Sequence, residues 1–540
     1  MRFILRSLIF VHRWVGIVLC LVFLLWFPSG IGMMYWTFPG VSAGDKLDHS
    51  PKLDPAKIVL SPAEAADKVG VQANPTQIRL NSFDGRPVYR IGGGRGGGGG
   101  SIVYADTGEE QTEVSTEMLD RIASSWAGRP IAEAKKISVE EPDQWTVAGQ
   151  LRNLRPMYKY SWPDGQQVYL DGSSGEVVQY TTFGSRVAAH VSAIPHWVYY
   201  TPLRKNQPVW INFMIYSSLI GTIGAIIGMI AAVWMYSPRQ KYRLAGNATG
   251  IPYRGQKRWH WIIGVVFGVA TVTWTFSGLM SLGPFPLMQR LTGQTPRNER
   301  VQPPQQQQAP PAGQAGGGQG GGGGRGGGQQ SVAGALRGRV RMADFAAVHP
   351  RDLLAKAPDL DVKELGYDSY VSRPLFSLNL GGGKSQLLSL DGAKVDGFDR
   401  QEIIDLVKRT LSDSKIADIT IIDQYDLYYL DRTRQRPLPV IRVLMNDEDR
   451  TRYYIDPKSA RVVTTYNDRN WVNRWLYTGL HSLNFPFLYN HRPLWDIVVI
   501  SFMVGGTALC VTSLVLAWRV LGRKLRRIAG PAPDVLTAEK

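Results

Sequence analysis

The chain has 540 residues, enough for several domains, and a formal net charge of +17. Its two cysteines, Cys20 and Cys510, both lie in apolar runs, which excludes a disulfide framework, a cysteine zinc finger and a CxxC redox pair. A basic chain could bind nucleic acid, but the positive charge is concentrated beside the apolar runs, and we predict no nucleic-acid partner.

Four runs without a charged residue follow one another along the chain: Trp14–Trp36, Val209–Ser237, Trp259–Gln289 and Ile497–Trp518. Each is longer than the ~20 residues that a helix needs to cross a lipid bilayer. The first run has an apolar core too long for a cleaved signal peptide. The sequence therefore predicts an α-helical polytopic membrane protein with four transmembrane helices.

The short connections between the runs predict the orientation. Residues 238–258 carry six basic side chains and no acidic one, and a second basic cluster begins at Arg519. By the positive-inside rule, both connections and the two termini are cytoplasmic. The two long segments then face the periplasm of a bacterial inner membrane.

The predicted domains are as follows: 1–37, transmembrane helix 1; 38–195, a periplasmic region; 196–237, transmembrane helix 2 with its external entry; 238–258, a cytoplasmic basic loop; 259–289, transmembrane helix 3; 290–335, a Gln/Gly linker; 336–470, a second periplasmic region; 471–519, transmembrane helix 4 with its external entry; 520–540, a cytoplasmic tail.

The four runs contain an internal duplication. A shift of 248 positions lays the first run on the third without a gap, and a shift of 285 lays the entry to the second run on the entry to the fourth. The matched pairs are His12/His260, Gly16/Gly264, Trp26/Trp274, Ser29/Ser277, Gly30/Gly278, His196/His481, Leu203/Leu488, Pro208/Pro493 and Trp210/Trp495. The pattern predicts two pseudo-repeats of helix, external region and helix, with a shared site where the repeats meet.

The external regions carry a second repeat. Four segments start with Arg-Pro, at Arg86, Arg155, Arg373 and Arg436, and each is followed by a strand-like run with an aspartate: Asp106, Asp171, Asp391 and Asp456. Alternating apolar residues closed by Asp, Gly and Ser indicate strands and turns. We predict four small helix-plus-antiparallel-sheet units, two in each α+β region. The glycine run at Gly92 and the tract at 301–330 are low-complexity loops without a dinucleotide fingerprint.

These motifs together resemble the PepSY-associated transmembrane (PepSY_TM) family. The resemblance rests on "HRWVG…SG" in the first run, "AIPHWVYYTPLR" and "LHSLNFP" before the second and fourth, and PepSY-like "RPVYRI…VYADTGE" units. It covers nearly the whole chain apart from the Gly/Gln tracts, and Trp261 stands where the first copy has Arg13. The resemblance implies a role in bacterial iron uptake, and some members resemble haem-b reductases of ferric siderophores.

The matched histidines predict cofactor ligands. Haem b needs two ligands on opposite faces of a planar ring, and imidazoles on facing helices supply them. We predict His12 with His260, and His196 with His481, as axial ligands of one or two haem irons, with His190 as an alternative external ligand. Arg13 is a candidate partner of the haem propionates, together with Lys257 and Arg258. An interfacial anchor is the alternative explanation for an isolated histidine.

The length of the first run sets the distance between the two predicted pairs. From His12 to the far end of its run is about 24 residues, or ~36 Å of helix, which is long for one electron hop. Trp26 or Trp274 could intervene, the haems could lie deeper than their ligands, or a single haem could be present.

The first function predicted is transmembrane electron transfer to periplasmic ferric iron or a ferric siderophore. No nicotinamide or flavin site is visible in the sequence, which leaves quinol or a separate protein as the electron donor. The first alternative is a non-enzymatic PepSY module that binds peptides or regulates a protease. A transporter is the second, although the spans lack the mid-membrane acid or base that ion coupling requires.

Overall fold

The computed structural model describes residues 2–72, 74–92, 100–151, 154–245, 247–283, 332–411, 415–431, 434–468 and 473–528. The glycine run after Gly92, most of the predicted linker 290–335, the end of the third apolar run and most of the predicted tail lie outside the described residues. The chain divides into two compact units. The helical unit comprises Met1–Phe38, Gly184–Arg300 and Trp471–Lys540, and the sheet unit comprises Pro39–Phe183 and Val301–Asn470.

The described α-helices are α1 (Arg2–Met33), α2 (Ala43–Asp48), α3 (Pro62–Lys68), α4 (Thr116–Ala127), α5 (Phe183–Val191), α6 (Ala193–Trp197), α7 (Thr201–Arg204), α8 (Gln207–Met235), α9 (Gly255–Ser281), α10 (Val332–Arg337), α11 (Pro350–Ala355), α12 (Arg400–Leu411), α13 (Leu480–Ser482), α14 (Pro486–Tyr489) and α15 (Leu494–Ile528). A π-helical segment, Asn473–Gly479, leads into α13.

Four of these helices, α1, α8, α9 and α15, are long and apolar enough to cross a membrane. Each coincides with most of one predicted run. Helices α1, α8 and α9 end at Met33, Met235 and Ser281, before their runs end, whereas α15 contains its whole run. Helix α1 begins twelve residues before Trp14, and α15 extends ten residues past Trp518. The basic side chains that ended the predicted runs are compatible with helix, because straight-chain residues lose little side-chain freedom there. Helices α1 and α15 therefore continue through their basic side chains.

The four long helices form a bundle. Helix α1 packs against α8 and α15, and α9 packs against the same two helices, so that α1 and α9 lie across a diagonal. Small residues permit the close approach: a methyl group at Gly221 of α8 would lie 2.6 Å from the Phe23 ring of α1. Gly224 and Gly228 of α8 have the GxxxG spacing that permits such close approach.

The strands are β1 (Ile78–Phe83), β2 (Arg86–Ile91), β3 (Ser101–Tyr104), β4 (Lys135–Val139), β5 (Met157–Ser161), β6 (Gln167–Asp171), β7 (Val177–Thr181), β8 (Tyr242–Leu244), β9 (Asn247–Thr249), β10 (Glu364–Tyr370), β11 (Arg373–Gly381), β12 (Lys384–Leu388), β13 (Lys394–Val395), β14 (Ile416–Ile422), β15 (Val440–Met445), β16 (Arg452–Asp456) and β17 (Arg461–Tyr466).

The described residues of the sheet unit form three antiparallel sheets, whereas four separate units were predicted. Two sheets have four strands each, in the orders β4-β5-β6-β7 and β14-β15-β16-β17. The third has seven strands in the order β13-β12-β11-β10-β1-β2-β3, because β1 pairs with β10 through Arg79–Gly366 and Leu80–Leu365. The first unit of one external region and the first unit of the other thus share one sheet and one core.

A buried charge cluster joins parts of the sheet unit that are distant in sequence. Glu176 is buried, and its carboxylate lies 2.7 Å from Lys46 Nζ and 2.7 Å from an Arg90 guanidinium nitrogen. Burial alone would raise the pKa of Glu176, but the two positive charges outweigh it and lower that pKa. The carboxylate is therefore ionised and paired at neutral pH.

Candidate functional site

The first histidine pair lies inside the bundle, across the α1–α9 diagonal. The ring centroids of His12 and His260 are 6.2 Å apart, with the ring planes inclined at 41°. We call the end of the bundle that carries this pair and Arg13 the basic end. The sequence placed the two residues at matched positions, and the structure brings their imidazoles together.

Both imidazoles of this pair are oriented through Nδ1. His12 Nδ1 donates to the carbonyl of Gly224, 2.9 Å away on α8. His260 Nδ1 lies 3.1 Å from Thr512 Oγ1 and 3.5 Å from Ser513 Oγ on α15. The partners come from the two helices that separate α1 from α9, so all four helices contribute to this pair.

The second pair lies at the opposite end, on the short segments that enter α8 and α15. The ring centroids of His196 and His481 are 6.0 Å apart, with the planes inclined at 65°. His196 Nδ1 lies 3.2 Å from both Ser29 Oγ and the Trp26 carbonyl of α1. His481 Nδ1 lies 3.0 Å from Ser277 Oγ of α9. Burial lowers the pKa of both histidines, which keeps them neutral, the form that binds a metal.

The orientation of the rings leaves one nitrogen of each histidine available. Among the described residues, no hydrogen bond reaches the Nε2 atom of any of the four. Histidines that bind metals characteristically donate their other ring nitrogen to a carbonyl or hydroxyl, which fixes the ring and the tautomer. All four rings have the arrangement of a metal ligand with its supporting partner.

The separation within each pair also suits a shared metal. Two metal–imidazole bonds of about 2 Å laid end to end, plus the half-width of each ring, give roughly 6 Å between the centroids. Nowhere in the described ranges do three or more His, Cys, Asp or Glu side chains gather to hold a metal ion. Two imidazoles match the ligand requirement of a metal whose remaining positions a macrocycle fills, as in haem.

A cavity surrounds the pair at the basic end. Its volume is about 990 Å³, at the upper limit of the range typical of small-molecule and cofactor sites. Its walls include His12, His260, Phe23, Trp261 and Leu509, with Arg13 and Lys257 among the basic side chains that line it. Arg258, the other candidate propionate partner, is not among the lining residues. A flat apolar molecule with anionic substituents fits this combination of walls and charges.

A glycine provides the space for the His12 ring. A methyl group at Gly228 would lie 2.7 Å from Nδ1 and 3.1 Å from Nε2 of His12, which is closer than van der Waals contact allows. The GxxxG spacing of Gly224 and Gly228 indicates helix packing and does not by itself reveal this role. The motif supplies both the seat of the ring and, through the Gly224 carbonyl, its hydrogen-bond acceptor.

The opposite end holds a cation without a full set of partners. Arg204 is 2% exposed and lies between Tyr199 and Trp210, 4.9 and 4.5 Å from their ring centroids. Its Nε and Nη1 atoms are buried and have no hydrogen-bond partner in the described part of the chain. A buried guanidinium is costly without an anion, and an acidic group of a ligand would satisfy it.

Matched tryptophans fix the segments that carry the second pair. Trp210 donates its indole N–H to the Trp197 carbonyl at 2.8 Å, and Trp495 donates to the Ser482 carbonyl at 3.0 Å. Each acceptor directly follows a histidine of the pair, His196 or His481. The sequence duplication matches Trp210 with Trp495 and Ser29 with Ser277. That match indicated in the sequence which residues support His196 and His481.

The pairs are closer together than the run lengths suggested. His196 contacts Ser29 and His481 contacts Ser277, and each serine lies 17 residues after the first-pair histidine of its own helix. At 1.5 Å per residue this is ~25 Å along the bundle, instead of ~36 Å. Between the pairs, the Trp274 ring lies 6.1 Å from Phe27 and 6.2 Å from Phe502. Aromatic side chains thus occupy the intervening core.

The other histidines lie elsewhere. His190 is exposed on α5, with Nδ1 2.8 Å from the Arg186 carbonyl, and His491 is exposed with Nδ1 2.8 Å from the Phe487 carbonyl. His49 stacks on Trp126 with centroids 4.1 Å apart, and His349 caps α11. His190, the alternative external ligand, is on the surface of its helix, whereas His196 faces His481.

Comparison with known proteins adds one match. The family model described as the PepSY-associated TM region matches residues 9–421, more than half of the chain. The search of curated proteins found no match to the chain. Together with the four apolar helices, the match identifies a membrane protein whose long helices lie in a lipid bilayer.

Proposed function

This chain belongs to the PepSY-associated TM family, and from that premise we propose that it is a haem-b protein of the bacterial inner membrane. It carries electrons from a cytoplasmic donor to ferric iron or a ferric siderophore in the periplasm. One observation supports this most directly: four matched histidines meet in two pairs, with centroids 6.2 and 6.0 Å apart and every Nδ1 engaged.

In this proposal each pair holds one haem. His12 and His260 ligate at the basic end, where Arg13 and Lys257 line the cavity, and His196 and His481 ligate at the opposite end, where Arg204 is the nearby buried cation. Bound haem supplies one-electron redox chemistry at its iron. The donor is oxidised by one electron, and the external ferric ion is reduced to the ferrous state.

The protein's own residues orient the ligands and exclude water. Gly224, Thr512, Ser29 and Ser277 hold the four imidazoles through Nδ1, which leaves the rings little freedom to rotate. The apolar and aromatic core between the pairs keeps water and protons out of the bundle. The protein thus supplies position and environment for a cofactor that performs the chemistry.

The proposed function includes an orientation in the membrane and a duplication of the helical unit. The basic side chains of 238–258 and of the last helix support a cytoplasmic basic end, and the sheet unit is then periplasmic. The matched partners of His196 and His481, Ser29 with Ser277 and Trp210 with Trp495, support a pseudo-symmetric duplication of helix, external region and helix. The PepSY-like sheets are then on the side of the membrane where the ferric acceptor is reduced.

An absorption spectrum of the detergent-purified protein tests this function. We expect a Soret band and sharp reduced α and β bands, with two haems per chain by the pyridine haemochromogen assay. His12→Ala and His260→Ala should each remove the haem of the first pair, and His196→Ala or His481→Ala that of the second. His190→Ala and His491→Ala are matched controls on exposed histidines and should keep the wild-type content.

A protein that stays colourless when expressed with haem supplied would contradict this function. The non-enzymatic PepSY module, which binds peptides or regulates a protease, and the transporter both predict that result, because neither needs the paired imidazoles. Loss of haem in the His190 or His491 controls would instead contradict the ligand assignment.

A further inference from the structure

The mouth of the cavity at the basic end is unusually rich in positive charge. Six basic side chains line the cavity and are exposed at the protein surface: Arg13, Arg254, Lys257, Arg519, Arg523 and Arg526. They come from α1, from the residue before α9, from α9 itself and from α15, so that three helices bring them to one opening. We call these six residues the basic mouth.

The charge of the basic mouth is not neutralised by the described residues. No aspartate or glutamate is among the residues that line the cavity, and none of the six takes part in an ion pair within the described ranges. A bound haem carries two carboxylates, which would balance at most two of the six charges. At least four positive charges would remain around the opening, above a cavity wall formed by His12 and His260.

The positive-inside rule alone would place basic residues on this side without gathering them around one opening. The same loop offers a comparison, because Arg239, Lys241 and Arg243 are also exposed but do not line the cavity. The six residues of the basic mouth therefore have the same charge as Arg239, Lys241 and Arg243 but differ from them in lining the cavity. Converging charge of one sign attracts a partner of opposite sign and raises its rate of association.

We propose that the basic mouth docks the acidic surface of a soluble electron-donor protein. The inference rests on the proposed function and names the class of its donor. A quinol is neutral and reaches a bundle through the lipid, so it has no need of six exposed cations at an opening. An acidic redox protein would be held over the cavity wall that contains His12 and His260, where it passes one electron and leaves oxidised.

Two purified redox proteins serve as probes: a flavodoxin, which is acidic, and a cytochrome c, which is basic. The haem-loaded full chain is placed in phosphatidylcholine nanodiscs, and binding is measured by biolayer interferometry at ~20 and ~200 mM NaCl, where the screening length differs about threefold. We expect flavodoxin to bind at low salt, to weaken at least about tenfold at high salt, and cytochrome c not to bind.

The variants separate docking from topology. Arg519→Gln/Arg523→Gln/Arg526→Gln should weaken flavodoxin binding about fivefold or more at low salt, whereas Arg239→Gln/Lys241→Gln/Arg243→Gln should change it less than about twofold. The two triple variants remove the same charge from the same side of the membrane. Their haem spectra confirm that both are folded and loaded.

Four results would overturn the proposal: no binding of flavodoxin, equal binding of cytochrome c, equal losses in the two triple variants, or block of flavodoxin binding by phosphatidylglycerol in the nanodisc. The last result would identify the basic mouth as a site for anionic lipid. Each of these can occur in a protein with a full haem spectrum, so that failure of the docking proposal is distinguishable from failure of the proposed function.

Discussion

Replacing Gly228 by alanine should prevent the first histidine pair, His12 and His260, from binding haem. The added methyl group would lie 2.7 Å from Nδ1 of His12, while ordinary contact begins at 3.4 Å or more. The ring must therefore move by about 1 Å, because the methyl group is fixed to the rigid backbone of α8. Such a shift lengthens the 2.9 Å hydrogen bond to the Gly224 carbonyl beyond useful range.

The effect on the cofactor follows from the tolerance of metal ligation. Metal–ligand distances hold within about 0.2 Å, so a displacement of about 1 Å prevents His12 from ligating. Overpacking of this kind costs about 1–3 kcal/mol of stability, which leaves a bundle of this size folded. We expect Gly228→Ala to fold and to bind one haem per chain instead of two.

The assay is the pyridine haemochromogen content of the monodisperse detergent-purified variant, together with its reduced spectrum. Gly264→Ala is the matched control, because it lines the same cavity and its methyl group would lie 3.6 Å from the nearest side-chain atom, on Leu509. Two haems with a wild-type spectrum in Gly228→Ala, or an equal loss in Gly264→Ala, would refute the reasoning.

Three further predictions test other contacts. Ser29→Ala or Ser277→Ala removes a hydroxyl that contacts Nδ1 of a second-pair histidine. Each variant should speed haem transfer to apomyoglobin about tenfold from the second pair only, because supporting partners contribute 10- to 100-fold in metal affinity. An unchanged transfer rate in both variants would contradict this role of the serines. Arg204→Gln should also speed transfer from the second pair, whereas Lys205→Gln should not; equal effects would show that Arg204 is only structural. Glu176→Gln should lower the stability of the sheet unit by about 3 kcal/mol at pH 7. Because the folded pKa of Glu176 is lowered, its contribution is present above the unfolded value of 4.5 and disappears as the pH falls through the folded pKa. The difference in thermal midpoint between variant and wild type should therefore shrink in acid, and a difference that is constant with pH would contradict the assignment.

The helical unit was largely predictable because its signals are local. Most of each apolar run lies in a long helix, and the duplication matched the four histidines that the structure brings together in pairs. The partners of the first pair were not predictable, because Gly224 offers only a backbone carbonyl and Thr512 has no counterpart in the matched set. Which helix face meets which neighbour depends on packing across the bundle, and sequence periodicity does not encode it.

The sheet unit shows the limit of pattern reasoning. The Arg-Pro repeat located the strands well: "RPVYRI" is β2 itself, and Asp171 and Asp456 end β6 and β16. The number of sheets was wrong because the pairing of β1 with β10 joins two of the predicted units. Strand alternation gives the faces of a strand but not its partner, since any apolar edge can accept another of the same pattern.

The joined sheet has a consequence for the biogenesis of the protein. The edge of β1 that pairs with β10 stays unpaired until β10 is synthesised, about 280 residues later. At ordinary translation rates that delay is roughly 15–60 s, during which an unpaired strand edge is exposed to other chains. A gene divided between α9 and β10 would yield a first half with this edge permanently open, and we expect that half to aggregate unless the second half is produced in the same cell.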